Sequence, residues 1–198
     1  MTTENPRREQ LADAATDYVL EHGLIGLSLR PLAAELDTSD RMLIYHFGSK
    51  DDLVATVLRV SNDRSVAIIR ALPTQPDVRQ AVVALWEALN RGQLARCQRL
   101  YIQAAALGLL GREPYLTSAR ESNELWVAAL AEYLVPCGMR RALTRRAAWL
   151  MDAAMLGLML DLPLDAGSTE LEQAVVDLAD AVAALAETPR AVPAGGAS

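Results

Sequence analysis

The chain has 198 residues, 52% of them hydrophobic, with a formal net charge of −6. That length holds one ordinary domain, or a small domain joined to a larger one. The negative balance excludes a nonspecific nucleic-acid coat, and Cys97 and Cys137, without CxxC spacing or a nearby His, exclude a zinc framework.

Ala and Leu abound while β-branched runs are few and Phe47 is the single Phe, a mixture that favours helix packed on helix. The polar start MTTENPRREQ has no apolar signal core. The longest apolar stretch, Ala147 to Leu160, is broken by Asp152 and is shorter than the ~20 residues of a membrane span. A cytoplasmic protein with no membrane partner is therefore expected, its cysteines being buried thiols in a reducing compartment.

Taken in chain order, the first predicted helix runs over 6–22, with Leu11, Ala15, Tyr18 and Val19 on one face and Gly23 as its stop. Ser28 is placed to cap a short helix over 29–36, with Pro31 in the first turn. Asp37-Thr38-Ser39 breaks it, and Ser39 caps a third helix that ends at Phe47-Gly48. Ser49 and Asp52 form a capping box for a fourth helix reaching about Ala71, before Pro73 and Pro76. Five more helices are predicted at about 77–91, 93–110, 115–135, 140–162 and 169–187, with short breaks rich in Gly and Pro. The expected fold is all-α with about nine helices. A three-helix unit (1–50) is joined by the fourth helix to a larger helical domain (51–187), and the tail from Thr188 (188–198) is expected to be disordered.

The window Ser28 to Asp52 carries the most information. Two short helices separated by a three-residue turn form a helix-turn-helix, whose inner face needs apolar residues and one small residue. Leu32, Leu36, Leu43 and Phe47 supply the first and Ala33 the second. The remaining side chains of the second helix then point outward, so Asp40, Arg41, Met42, Tyr45 and His46 are expected at a DNA groove. Arg41 suits a guanine edge, while Ser39, Tyr45, His46 and Lys50 suit phosphates, and Arg30 lies alongside on the preceding helix. Asp40 has two readings, an acceptor from cytosine or a carboxylate at a helix start. Arg7 and Arg8 likewise reach phosphate or belong to a frayed basic end. Placement must carry this reading, because residues 1–50 hold five basic against eight acidic side chains.

The window resembles the DNA-binding signature of the TetR family of bacterial repressors, through Gly23, Gly26, Ser28, Leu32-Ala33, Thr38-Ser39, Leu43, His46-Phe47, Ser49-Lys50 and Asp51-Leu53. The resemblance covers residues 10–55 closely and the remainder only as a count of helices. Three positions depart from the family pattern: Asp37 stands at a usual Gly, Thr38 at a more apolar residue, and Ile44 at a usual Tyr. The resemblance implies a homodimeric transcriptional repressor that binds a palindromic double-stranded DNA operator and is released by a small-molecule effector. It also implies that the last two long helices pair with those of a second subunit as a four-helix bundle.

The residues themselves point the same way. Leu171, Val175, Leu178, Val182 and Leu185 form a continuous apolar seam, and the helix over 140–162 is apolar on nearly every face from Ala147 to Leu160. Trp86, Tyr101, Trp126, Met151 and Met155, with Cys97, are candidates either for plain core or for lining an effector pocket. Asp152 either contacts a polar group of that effector or pairs with an Arg such as Arg99. No catalytic residues, metal ligands or cofactor are expected, since two His and no glycine-rich phosphate loop leave an enzyme without candidates. The competing reading is a ligand-binding or adaptor protein with a degenerate helix-turn-helix that does not bind DNA specifically.

Overall fold

The computed structural model describes residues 6–164 and 167–187, so the tail expected to be disordered lies outside the described residues. The described residues form nine α-helices and no strand: α1 (Pro6–His22), α2 (Leu29–Glu35), α3 (Asp40–Phe47), α4 (Lys50–Arg70), α5 (Val78–Leu89), α6 (Gly92–Leu109), α7 (Tyr115–Leu134), α8 (Arg141–Asp161) and α9 (Thr169–Glu187). The expected all-α architecture holds, with helix ends close to those read from capping and breaking residues.

The caps show why the breaks fall where they do. Ser39 accepts a hydrogen bond from the Met42 amide at 3.3 Å, and Gly48, at φ +93°, closes α3 by donating to the Ile44 carbonyl at 2.8 Å. At α4 the Ser49 hydroxyl accepts from the Asp52 amide at 3.0 Å and donates to the Asp52 carboxylate at 2.6 Å. The acid thus grips the cap's hydroxyl, whereas a capping box would have it reach the cap's backbone N–H. Ser28 occupies the cap position of α2, yet its side chain makes no capping hydrogen bond.

Asp37, in the turn between α2 and α3, has a left-handed backbone at φ +47°. For a side chain with a Cβ that conformation costs ~1–2 kcal/mol, more than the ~0.5–1 kcal/mol of extra chain entropy a glycine loses on folding. Asp37→Gly is therefore expected to raise stability by about 0.5 kcal/mol, seen as a higher urea midpoint at unchanged slope. An unchanged or lower midpoint would show that the aspartate is already relaxed there.

Two compact units emerge from the packing. The first holds α1–α4, α6 and most of α7, within Met1–Leu72 and Glu87–Ala129. Its core joins Leu11, Ala15 and Val19 of α1 to Leu32, Leu43 and Phe47 of the helix-turn-helix, Leu53 and Val57 of α4, and Leu100 and Ala104 of α6. Arg64 of α4 grips α1 through Asp17 at 2.5 Å and Asp13 at 2.9 Å. A Cβ on Gly108 would lie 3.1 Å from the Leu116 Cα and 3.3 Å from its nitrogen, so only glycine lets α6 and the start of α7 approach so closely.

The second unit comprises Pro73–Trp86 and the chain from Leu130 onward. There α8 and α9 pack together, with Ala147, Met151 and Met155 of α8 and Val175, Leu178 and Val182 of α9 buried. Leu171 and Leu185, the ends of the seam, are half-buried. Arg79 is paired with Asp180, and the Tyr133 hydroxyl donates to the Ala81 carbonyl at 3.4 Å. Burial and the nearby Cys137 push the Tyr133 phenol up to about 12. Among the described residues, no helix is long and apolar enough to cross a membrane.

Candidate functional site

The amphipathic division of α3 sets up the first site. Leu43 (0% exposed) and Phe47 anchor the helix in the core, which turns Asp40, Arg41, Met42 and Tyr45 outward, Tyr45 to 77% exposure. His46 is half-buried and meets the Tyr45 ring edge-on, with centroids 5.2 Å apart. Arg30 is exposed on α2, and Ser39 is exposed while capping α3. The sequence-predicted contact residues are thus brought to α3 and its flanks.

Lys50 has a bond of its own: Nζ donates to the Leu27 carbonyl, tying the start of α4 to the segment before α2. Arg8 lies within α1 and not in a frayed end. Its Nε donates to the His46 carbonyl at 3.2 Å, and its guanidinium lies 5.5 Å from the Phe47 ring centroid. A cation at the C-terminal end of α3 is favourable for the helix dipole and fixes the tilt of the helix against α1.

Gln103 of α6, which drew no attention in the sequence, is a second brace. Its side-chain oxygen accepts from the amides of Leu24 at 2.8 Å and Ile25 at 3.2 Å, in the α1–α2 loop. Gln103→Leu strips both amides of their acceptor; the Ile25 amide is exposed and turns to water, while the part-buried Leu24 amide bears a cost toward the lower end of the ~1–3 kcal/mol of an unpaired buried donor. The expected result is faster amide hydrogen exchange at Leu24 and Ile25, with a loss of stability in that range. Unchanged exchange at both amides would refute the brace.

The second site is a nearly closed cavity in the same unit: about 430 Å3 of non-atom space counting the open mouth, but an enclosed volume of only about 20 Å3, so a ligand larger than a water enters by parting the helices around it. It lies between Leu58, Ser61, Asn62 and Ser65 of α4, Cys97, Gln98, Leu100, Tyr101 and Ala104 of α6, and Ser118, Ala119, Ser122 and Trp126 of α7. Of the six sequence-predicted effector residues, Tyr101 and Trp126 line this cavity. Met151 and Met155 are buried in the second unit, where Asp152 and Trp86 are half-buried. The polar lining went unnoticed in the sequence, although Ser61/Ser65 and Ser118/Ser122 are i, i+4 pairs on helix faces that otherwise carry apolar residues. Burial, then the charge of Asp51, pushes the phenol of Tyr115 up while Arg112 opposes, and this tyrosine packs against the core of the helix-turn-helix unit.

Residues 11–57, from α1 into α4, match the family model described as bacterial regulatory proteins, tetR family. The described helices continue that likeness over most of the chain. A transcriptional regulator from Rhodococcus sp. Rha1 is 25% identical, with a TM-score of 0.70 over 88% of this chain and 95% of that one. Over residues 11–57, the helix-turn-helix end of this chain is that of the TetR family. The multidrug binding protein EbrR, solved with ethidium, is 28% identical to this chain, with a TM-score of 0.62 over 89% of this chain and 98% of its own. A TetR transcriptional regulator from Legionella pneumophila, 17% identical, shares the fold at a TM-score of 0.65 over 92% and 100% of the two chains. A search of curated proteins found no match.

Proposed function

We propose that this chain is a TetR-family regulator, a cytoplasmic, homodimeric repressor that reads a palindromic double-stranded DNA operator with α3 and is released by a small molecule. One observation carries the DNA reading. The buried pair Leu43 and Phe47 leaves Arg41, Met42 and Tyr45 on the outward face of α3, with Asp40 exposed at its start, on a helix-turn-helix. Arg41 reads base edges, while Ser39, Tyr45, His46, Lys50 and Arg30 serve the backbone.

Dimerisation rests on α8. Trp149 and Leu160 share one face of α8 and are 47% and 51% exposed, and Leu150 on the adjoining face is 43% exposed, an apolar surface that a second subunit would cover. Residues 1–50 form the DNA-reading part, and 51–187 the effector-binding and dimerisation part. EbrR's complexes with ethidium and proflavin support a small-molecule effector, and the cavity between α4, α6 and α7 is the place for it here.

Coupling from cavity to DNA needs no long relay. Ser61 lies on the same helix as Asp52, nine residues or roughly 14 Å along α4 at the helical rise. α6 carries the cavity residues Gln98 and Tyr101 as well as the brace Gln103. An effector that spreads α4 from α6 shifts α3 through both connections, and two recognition helices must keep the ~34 Å groove repeat to bind together.

The test is selection of bound fragments from the host genome by the purified protein. Enrichment of one palindromic site, with two protein chains bound per site, supports the repressor reading. If no fragment is enriched even at low salt, where phosphate contacts are strongest, the chain is a ligand-binding protein with a degenerate helix-turn-helix.

A further inference from the structure

We propose that the cavity between α4, α6 and α7 selects an electrically neutral, flat aromatic compound carrying both hydrogen-bond donors and acceptors, and rejects cations. This rests on the reading of that cavity as the effector site.

The case begins with where the polar side chains are buried. Among the described residues eight polar side chains are buried, and five of them, Ser61, Ser65, Gln98, Ser118 and Ser122, line this one cavity. Every buried side-chain N or O among the described residues has a hydrogen-bond partner, so these groups cost little where they are, but an apolar packing core does not explain their gathering at one place. A ligand-binding site does. Trp126, itself buried, adds an aromatic surface beside them.

The chemistry of the lining then narrows the ligand. Among the described residues that line the cavity there is no Asp, Glu, Lys, Arg or His. A cation moved from water into such a place loses its hydration without gaining a counter-charge, and attraction to the faces of Trp126 and Tyr101 recovers only part of that loss. A neutral ring system loses far less and gains the apolar contact in full. Serine and glutamine side chains both donate and accept, so the fitting ligand bears both kinds of group. Ser65 already donates to the Ser61 carbonyl at 3.0 Å, which leaves its oxygen free to accept from a ligand N–H or O–H.

Carboxylates do lie nearby, in an outer groove that shares Asn62, Ser118 and Ser122 with the cavity, but they are differently placed. Asp63 and Glu121 are exposed, Asp63 is paired with Arg59 at 3.2 Å, and Asp52 is engaged by Ser49. A cation held there stays hydrated and screened, so the groove gives no basis for tight binding of a desolvated one.

A matched pair of probes tests this on the full chain without DNA. Phenanthridinone is a neutral three-ring lactam with one N–H and one carbonyl; 5-methylphenanthridinium has the same ring skeleton, a fixed positive charge and neither group, and neutral phenanthridine, expected to bind between the two, separates the effect of charge from that of the lost hydrogen bonds. Calorimetry is expected to show the neutral probe binding at least ~10-fold more tightly than the cation. Ser122→Ala and Ser118→Ala are each expected to weaken the neutral probe by about 3- to 10-fold at unchanged melting temperature. Ser122→Asp, which supplies the missing counter-charge, is expected to reverse the preference.

Equal or tighter binding of the cation by the unmodified protein overturns the proposal, as does failure of the neutral probe to bind up to its solubility limit. Binding of the neutral probe that neither serine variant weakens also overturns it, because the ligand then sits elsewhere. These outcomes are separate from operator binding. Fragment enrichment with no probe binding removes only the ligand class, whereas probe binding with no enriched fragment leaves the cavity's selectivity in place and removes the repressor.

Discussion

Arg41→Ala is expected to reduce affinity for the selected operator by a factor of ~30 to ~10⁴, while binding to unrelated DNA changes little. A bidentate Arg–guanine contact is worth ~1–3 kcal/mol, and a symmetric dimer presents it twice. The substitution is clean, because Arg41 is exposed on α3 and the described residues give it no ion pair. Melting temperature should therefore stay where it is. Lys50→Ala is the informative contrast. Its ammonium binds the Leu27 carbonyl and sits at the start of α4, so its loss is expected to weaken all sequences alike without changing the preferred site. Fluorescence anisotropy on the enriched fragment and on a scrambled one separates the two patterns. An Arg41→Ala protein that keeps both affinity and preference would show that α3 does not read bases through this residue.

Leu43→Ala is expected to cost ~2–5 kcal/mol of stability, the range for truncating a fully buried leucine where the surroundings cannot collapse. Leu43 is wholly enclosed in the cluster that holds α1, α2, α3 and α4 together. Its removal leaves a cavity behind the one helix whose outer face must be held in register, so DNA binding is lost along with stability. The neighbouring Ile44 is 36% exposed, and Ile44→Ala is expected to stay within about 0.5 kcal/mol of the unmodified protein. Urea unfolding followed by circular dichroism measures both. Similar midpoints for the two variants would contradict the inward and outward division of α3 on which the DNA reading depends.

Much of this arrangement was legible in the amino-acid order. Helix ends are set by local chemistry, so Gly23, Ser39, Gly48 and Ser49, with the prolines after Ala71, mark them without knowledge of the fold. The inner face of the helix-turn-helix follows from helical periodicity alone: Leu32, Ala33, Leu43 and Phe47 recur where one face must be apolar, and all four are buried. Asp37 stands where the family pattern has Gly, and its left-handed backbone is the conformation a Gly adopts most readily.

The packing decided the rest. Arg8 meets the His46 carbonyl 38 residues away, and Gln103 meets the Leu24 amide 79 residues away; neither partner is implied by either residue's neighbours in the chain. The cavity is the clearest case. Ser61, Ser65, Gln98, Ser118 and Ser122 come from three helices, and each serine alone reads as an ordinary small residue on a helix. Local propensity and periodicity determine which residues form a helix and which face is apolar. Whether a polar side chain on that face ends in solvent, in a sealed contact or in a cavity depends on which other helix arrives opposite it, and only the tertiary fold brings those helices together.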